Sequence, residues 1–89
     1  MNKGHVPSLI QLAGQGHVIA QFNLGVSYAN GEGIPQNHVK AYMWWSLAKA
    51  QGHNVAAKYM ISIKKSMAPS DVSRAQQLAE NWWNNFNER

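Results

Sequence analysis

The sequence contains no cysteine. Disulfide staples and thiolate metal sites are therefore excluded, and no redox compartment is selected. Acidic residues are scarce: Glu32, Asp71, Glu80 and Glu88 stand against eight lysines and arginines. The net charge of +4 favours acidic surfaces without demanding nucleic acid. No apolar run approaches the ~20 residues of a membrane span. The opening Met1–Pro7 leads into Ser8-Leu9-Ile10-Gln11-Leu12, which is too short and too broken for a signal-peptide core. The compartment is left unassigned, with the cytoplasm slightly favoured over the periplasm.

What is present is a core-forming, repetitive chain. Four tryptophans, three tyrosines and two phenylalanines supply large pieces for one small domain. A domain of this size hides only ~60–65% of its unfolded surface, so its stability is modest. Gln15-Gly16-His17 with Ala20 recurs 36 residues later as Gln51-Gly52-His53 with Ala56. Ile19 pairs with Val55 at that offset, and Leu24 with Met60. A period of this length marks stacked helical hairpins, each unit burying its apolar face only against a neighbour.

Helical spacing places one helix from Val18 to about Ala29, with Ile19, Phe22, Val26 and Ala29 on one face and Ala20, Leu24 and Tyr28 on the next. Asn30-Gly31-Glu32-Gly33 stops it, and Pro35 confirms a loop. A second helix runs from His38 to about Gln51, capped by Asn37, and a third from about Asn54 to Met67. Pro69-Ser70 breaks the chain, with Ser70 expected as the N-cap of a last helix striped by Val72, Ala75, Leu78, Ala79, Trp82 and Phe86. Pro7 to Ala13 reads as a lone short helix ending at Gly14, the second half of a repeat whose first half is missing. Its apolar residues Leu9, Ile10 and Leu12 would have one neighbour, which points to a homodimer or to stacking within a longer repeat array.

The chain resembles the Sel-one-like repeats, relatives of the tetratricopeptide repeats with a longer loop inside the hairpin. The residues that carry the resemblance are Ala20, Leu24, Gly25, Tyr28, Gly31, Gly33, Ile34, Lys40, Ala41, Trp44, Ala48, Gln51 and Gly52. Two departures stand in the second unit: Ile61 replaces the glycine that Gly25 supplies one repeat earlier, and no Gly-x-Gly loop comes after it. Both fit a terminal cap. The resemblance implies an all-α, right-handed α-α superhelix of about five helices. Residues 6–17 would be a half repeat, 18–53 a complete repeat and 54–86 a degenerate capping repeat. Gly25 is expected to let the second helix come close, at Ala41.

The inventory for chemistry is thin. No two histidines lie at i, i+4 on one helix with a carboxylate to complete a metal site, so His17 and His53 read as turn or capping residues. No Ser-His-acid order or carboxylate pair stands out, and Gly31-Glu32-Gly33 lacks the strand and the Gly-Lys-Ser/Thr of a phosphate loop. Lys49, Lys58, Lys64 and Lys65 carry no nucleic-acid reading motif and are read as solvated surface. The expectation is a non-catalytic module, without cofactor or metal, that binds a protein or an acidic, apolar peptide as scaffold or regulator. The alternative is a small hydrolase-like or ligand-binding enzyme. In tetratricopeptide repeats the first helix of each hairpin lines the groove. On this chain those positions are Ile19, Phe22, Val26 and Ala29, then Val55, Lys58, Ser62 and Lys65. One ring of each pair Trp44-Trp45 and Trp82-Trp83 belongs to a core stripe, which leaves Trp45 and Trp83 as an alternative contact surface.

Overall fold

The computed structural model describes residues 8–88, which form five helices and no strand. They are α1 (Leu9–Gly14), α2 (Val18–Asn30), α3 (His38–Ala50), α4 (Asn54–Lys64) and α5 (Pro69–Asn87). The first two residues of the expected half repeat lie outside the described residues. The fold is an α-α repeat, and local chemistry sets most of its boundaries. The Ser8 hydroxyl accepts from the Gln11 N–H at 3.1 Å, while the Gln11 side chain accepts from the Ser8 N–H at 2.8 Å. Gly31, at φ 71°, ends α2 in the left-handed conformation. The Asn37 side chain accepts from the Lys40 N–H at 3.0 Å and starts α3. His53 Nδ1 accepts from the Ala56 N–H at 3.0 Å and starts α4, whereas His17, its counterpart, makes no side-chain cap bond.

Two expected boundaries are corrected. Helix α4 ends at Lys64 instead of Met67. Ser70 does not cap α5: Ala68 takes that position, and Pro69 opens the first turn. Proline suits the first helical position because its missing N–H would have no partner there and its φ is already helical. Asp71 sits in that first turn, where the helix dipole favours a negative charge.

Helix α3 is the centre of the packing, lying against α2, α4 and α5. Both tryptophans of its Trp44-Trp45 pair are buried, because α3 is contacted on several sides. Gly25 does admit α3, but its neighbour is Trp45 and not Ala41. A Cβ built on Gly25 would lie 2.5 Å from Trp45 Cδ1 and closer still to Nε1. With no side chain in the way, the indole N–H donates to the Phe22 carbonyl at 3.0 Å.

The α4–α5 segment departs from the α2–α3 hairpin. Consecutive helices α4 and α5 barely approach each other along their backbones, while α5 packs on α3. From there α5 runs back over the start of the chain. Ala79, Trp82 and Trp83 join Leu9, Leu12, Ala13, Ala20 and Leu24 in one apolar cluster. The Phe86 ring reaches Gly16, where a Cβ would meet its Cζ at 3.0 Å. Leu9 and Leu12 are half-buried against this cluster, and only Ile10 of the expected open face is strongly exposed. Beneath this cover Gln21 is wholly buried; it donates to the Ala13 carbonyl at 3.1 Å and accepts from Gln51 Nε2 at 2.7 Å.

Two expected outcomes test this packing. Gly25→Leu should destabilise the fold by ~1–3 kcal/mol through overpacking, lowering Tm by about 4–8 °C per kcal/mol in a domain this small. Ile61→Gly, at the matching place in α4, should cost only the ~1 kcal/mol of a mid-helix glycine. Equal melting temperatures for wild type and Gly25→Leu would refute the α2–α3 packing. Separately, Gln21→Leu should lower stability by about 1–3 kcal/mol, because one buried and one part-buried hydrogen bond go. A urea midpoint identical to wild type would mean that this amide does not tie α1 to α2 and α3.

Candidate functional site

The helices leave an open groove of ≈ 490 Å³ where the end of α2, the start of α3 and one flank of α4 meet. Ala29, Asn30 and His38 form one side, and Lys58, Tyr59, Ser62 and Ser66 the other. Trp45 and Ile63, both buried, make its floor. Spacing explains the α4 side: Tyr59, Ser62 and Ile63 lie three and four residues apart and so share a helical flank, and Ser66 joins them from the turn after α4. The α2–α3 side exists because the glycine loop turns the chain so that Asn37, after it, donates its N–H to the Tyr28 carbonyl at 2.9 Å. That bond sets Asn30 and His38 side by side across the hairpin.

Of the residues expected to line a groove, Ala29, Lys58 and Ser62 do so. Phe22 is half-buried and acts as structure: its ring stacks on His53 at 4.5 Å and tilts against Tyr59 at 5.2 Å. Val26 packs against the core shared by α3, α4 and α5. Ile19 and Val55 are exposed on their helices but do not line the groove, and Lys65, the residue that closes α4, gives way there to Ser66. Trp45 offers no separate contact surface: it is 3% exposed, wedged on Gly25 and hydrogen-bonded through its only N–H. Trp83 is half-buried, edge-on to Trp82 at 5.1 Å and to Phe86 at 6.0 Å.

Asn30, His38, Tyr59, Ile63 and Ser66 were not singled out as groove residues in the sequence. Helical spacing from Ser62 on α4 could have shown Tyr59 and Ile63, whereas Ser66 lies in the turn after the helix. Asn30 and His38 carry no such local signal, since only the closed hairpin brings them to the groove.

Chemically, the groove presents an ammonium, an imidazole, an amide and hydroxyls around an apolar floor, with no carboxylate in its lining. Among the described residues no three His, Asp or Glu side chains gather as a metal site would require. Such a surface can donate hydrogen bonds, attract an anion and bury an apolar side chain. An open mouth also suits a polypeptide segment better than an enclosed small molecule.

Comparison with known proteins agrees with this geometry. The family model of the Sel1 repeat matches residues 18–53. These residues hold α2, the glycine loop and α3, the hairpin closed by Trp45 on Gly25. The chain is also similar to the alginate biosynthesis protein AlgK of Azotobacter vinelandii, with 32% identity over 73 residues. That alignment takes in 82% of this chain and 16% of AlgK, so the chain spans a small part of that relative's length. Sel1 repeats are generally non-catalytic modules that bind other proteins. The chain carries a Sel1 repeat, and that repeat is the α2–α3 hairpin.

Proposed function

We propose that the protein is a binding module whose groove takes an extended segment of another protein, as part of a scaffold or regulatory assembly. The observation that carries this reading is the groove's composition. An apolar floor of Trp45 and Ile63 lies beside Lys58, with His38, Asn30, Ser62 and Ser66 as polar partners at the rim. An apolar side chain of the ligand would enter over the floor and be held by dispersion and water exclusion. A neighbouring aspartate or glutamate would face Lys58. Backbone groups of the ligand would find the hydroxyls and the amide, which satisfy polar atoms that the contact removes from water. The hydrolase-like or ligand-binding alternative draws no support from the groove, which sets no carboxylate beside His38 to act with it.

A panel of extended peptides, each with one leucine or phenylalanine and one aspartate or glutamate two to four positions away, tests the reading. Wild-type protein should bind the best of them, and Lys58→Glu should weaken that binding by about tenfold and flatten its salt dependence. Lys65→Glu, outside the lining, should have a smaller effect, and neither change should move Tm appreciably. Undiminished binding by the variant carrying both substitutions would place the site away from this groove.

A further inference from the structure

Helix α4 stands to the second repeat as α2 stands to the first. Ala20 and Leu24 of α2 are buried, and so are Ala56 and Met60 at the matching places in α4. On α2 a further flank, marked by the buried Gln21 and Gly25, receives the next helix, α3. On α4 that flank carries Ala57 and Ile61, and no helix covers it, because α5 has gone to α3 and to the cluster around α1. Ile61 is 67% exposed, more than any other large apolar side chain among the described residues. Helical geometry sets it about 160° around α4 from Tyr59 and about 100° from Ser62, so it lies outside the groove, with Lys58 between the two surfaces.

We propose that this flank of α4 is a second docking surface, which takes the apolar stripe of a partner's amphipathic helix bordered by acidic residues. The space is that of a helix, because the equivalent flank of α2 holds one. The charge is set by the sequence: Lys64 and Lys65 lie three and four residues beyond Ile61, with Lys58 three residues before it. No aspartate or glutamate occurs anywhere from Gln51 to Ser70. A second copy of the chain seated here by two-fold symmetry would set α4 against α4 and bring these lysines together, an arrangement that like charges oppose. An acidic partner removes that repulsion and covers Ile61 at once.

The test uses the full chain and two labelled helical peptides of about 18 residues, five turns long. Both carry the same leucine stripe, flanked by glutamates in one and by lysines in the other. Fluorescence anisotropy should show the glutamate peptide binding at least about tenfold more tightly than the lysine peptide, with the difference shrinking in high salt. Ile61→Asp should weaken that binding by at least about tenfold, and so should Lys64→Glu with Lys65→Glu. Tyr59→Ala, on the groove flank, should leave it within about threefold, which separates this site from the groove. Ile61→Ser, checked by circular dichroism, provides a milder variant should the aspartate perturb the helix. Equal affinity for the two peptides, or full binding by Ile61→Asp and Ile61→Ser, overturns the proposal. It is equally overturned by a dimer in sedimentation that Ile61→Asp dissolves, which assigns the flank to a second copy. Binding to anionic phosphatidylglycerol vesicles that needs Ile61, without binding to the glutamate peptide, assigns it to lipid and overturns it too.

Discussion

One contact organises the molecule: the indole of Trp45 against the bare backbone at Gly25. Its N–H reaches the Phe22 carbonyl only because nothing projects from residue 25. That carbonyl lies inside α2, and an oxygen with two lone pairs can take a side-chain donor in addition to a helical one. The same residue then passes the constraint on through its ring, which stacks on His53 and leans on Tyr59. His53 in turn caps α4 through Nδ1. Close approach of α2 and α3, entry of α4 and position of Tyr59 at the groove thus form one chain of contacts. The helix propensity lost at a mid-helix glycine, ~1 kcal/mol, is small beside what this packing organises.

Between α4 and α5 this glycine–indole pair is missing, and the packing changes with it. Ile61 stands where glycine would admit an indole, and in α5 Ala75 and Ala79 keep the four-residue spacing that Ala41 and Trp45 have in α3. Neither the opening nor the wedge is present, and α5 shares a core with Ala56, Met60 and Ile63 of α4 only through its first turns, at Val72 and Ala75. The helix answers instead to its own apolar stripe, which the large cluster around α1 and α2 can bury. Trp82 stacks on Phe86 at 4.7 Å and meets Trp44 edge-on at 6.2 Å, joining the end of the chain to its middle. This return of α5 completes the cluster against which Leu9 and Leu12 are half-buried and leaves one flank of α4 without a helix. Closure at one side of the fold and exposure at the other share a cause.

Much of this was legible in the sequence, because repeats and helix caps are local. The 36-residue recurrence, the helical periods, the Asn37 cap and the special role of Gly25 all depend on residues near one another or at fixed offsets. Two misreadings have physical reasons. Trp45 looked surplus to the core because neighbours on a helix point about 100° apart, and a helix with one buried side cannot hide both. Helix α3 is covered on several sides, so it hides both. The stripe of α5 was visible, yet a stripe names a face and not the neighbour that will cover it. Groove residues Asn30 and His38 belong to the same class, since their role comes from hairpin closure. Ser70 is different: proline's preference for the first helical position was written in the sequence and outweighs the serine cap one residue later.

The distribution of charge decides how the two flanks of α4 could work. The chain's carboxylates sit in the glycine loop and along α5, leaving the segment from Gln51 to Ser70 with lysines only. At physiological ionic strength a field fades over about 8 Å, so these cations act on what is already near. Such charges raise the rate of encounter and reject basic partners more than they prolong residence. Residence must come from area taken out of water, and on α4 that area is Tyr59 with Ile63 on one flank and Ile61 with Ala57 on the other. Selectivity and hold are therefore supplied by different atoms of one short helix, whose position is set in turn by a cap at His53 and a stacked ring at Phe22. A loss of the Gly25 contact would therefore disturb both surfaces, the groove directly through its Trp45 floor and the Ile61 flank through the position of α4.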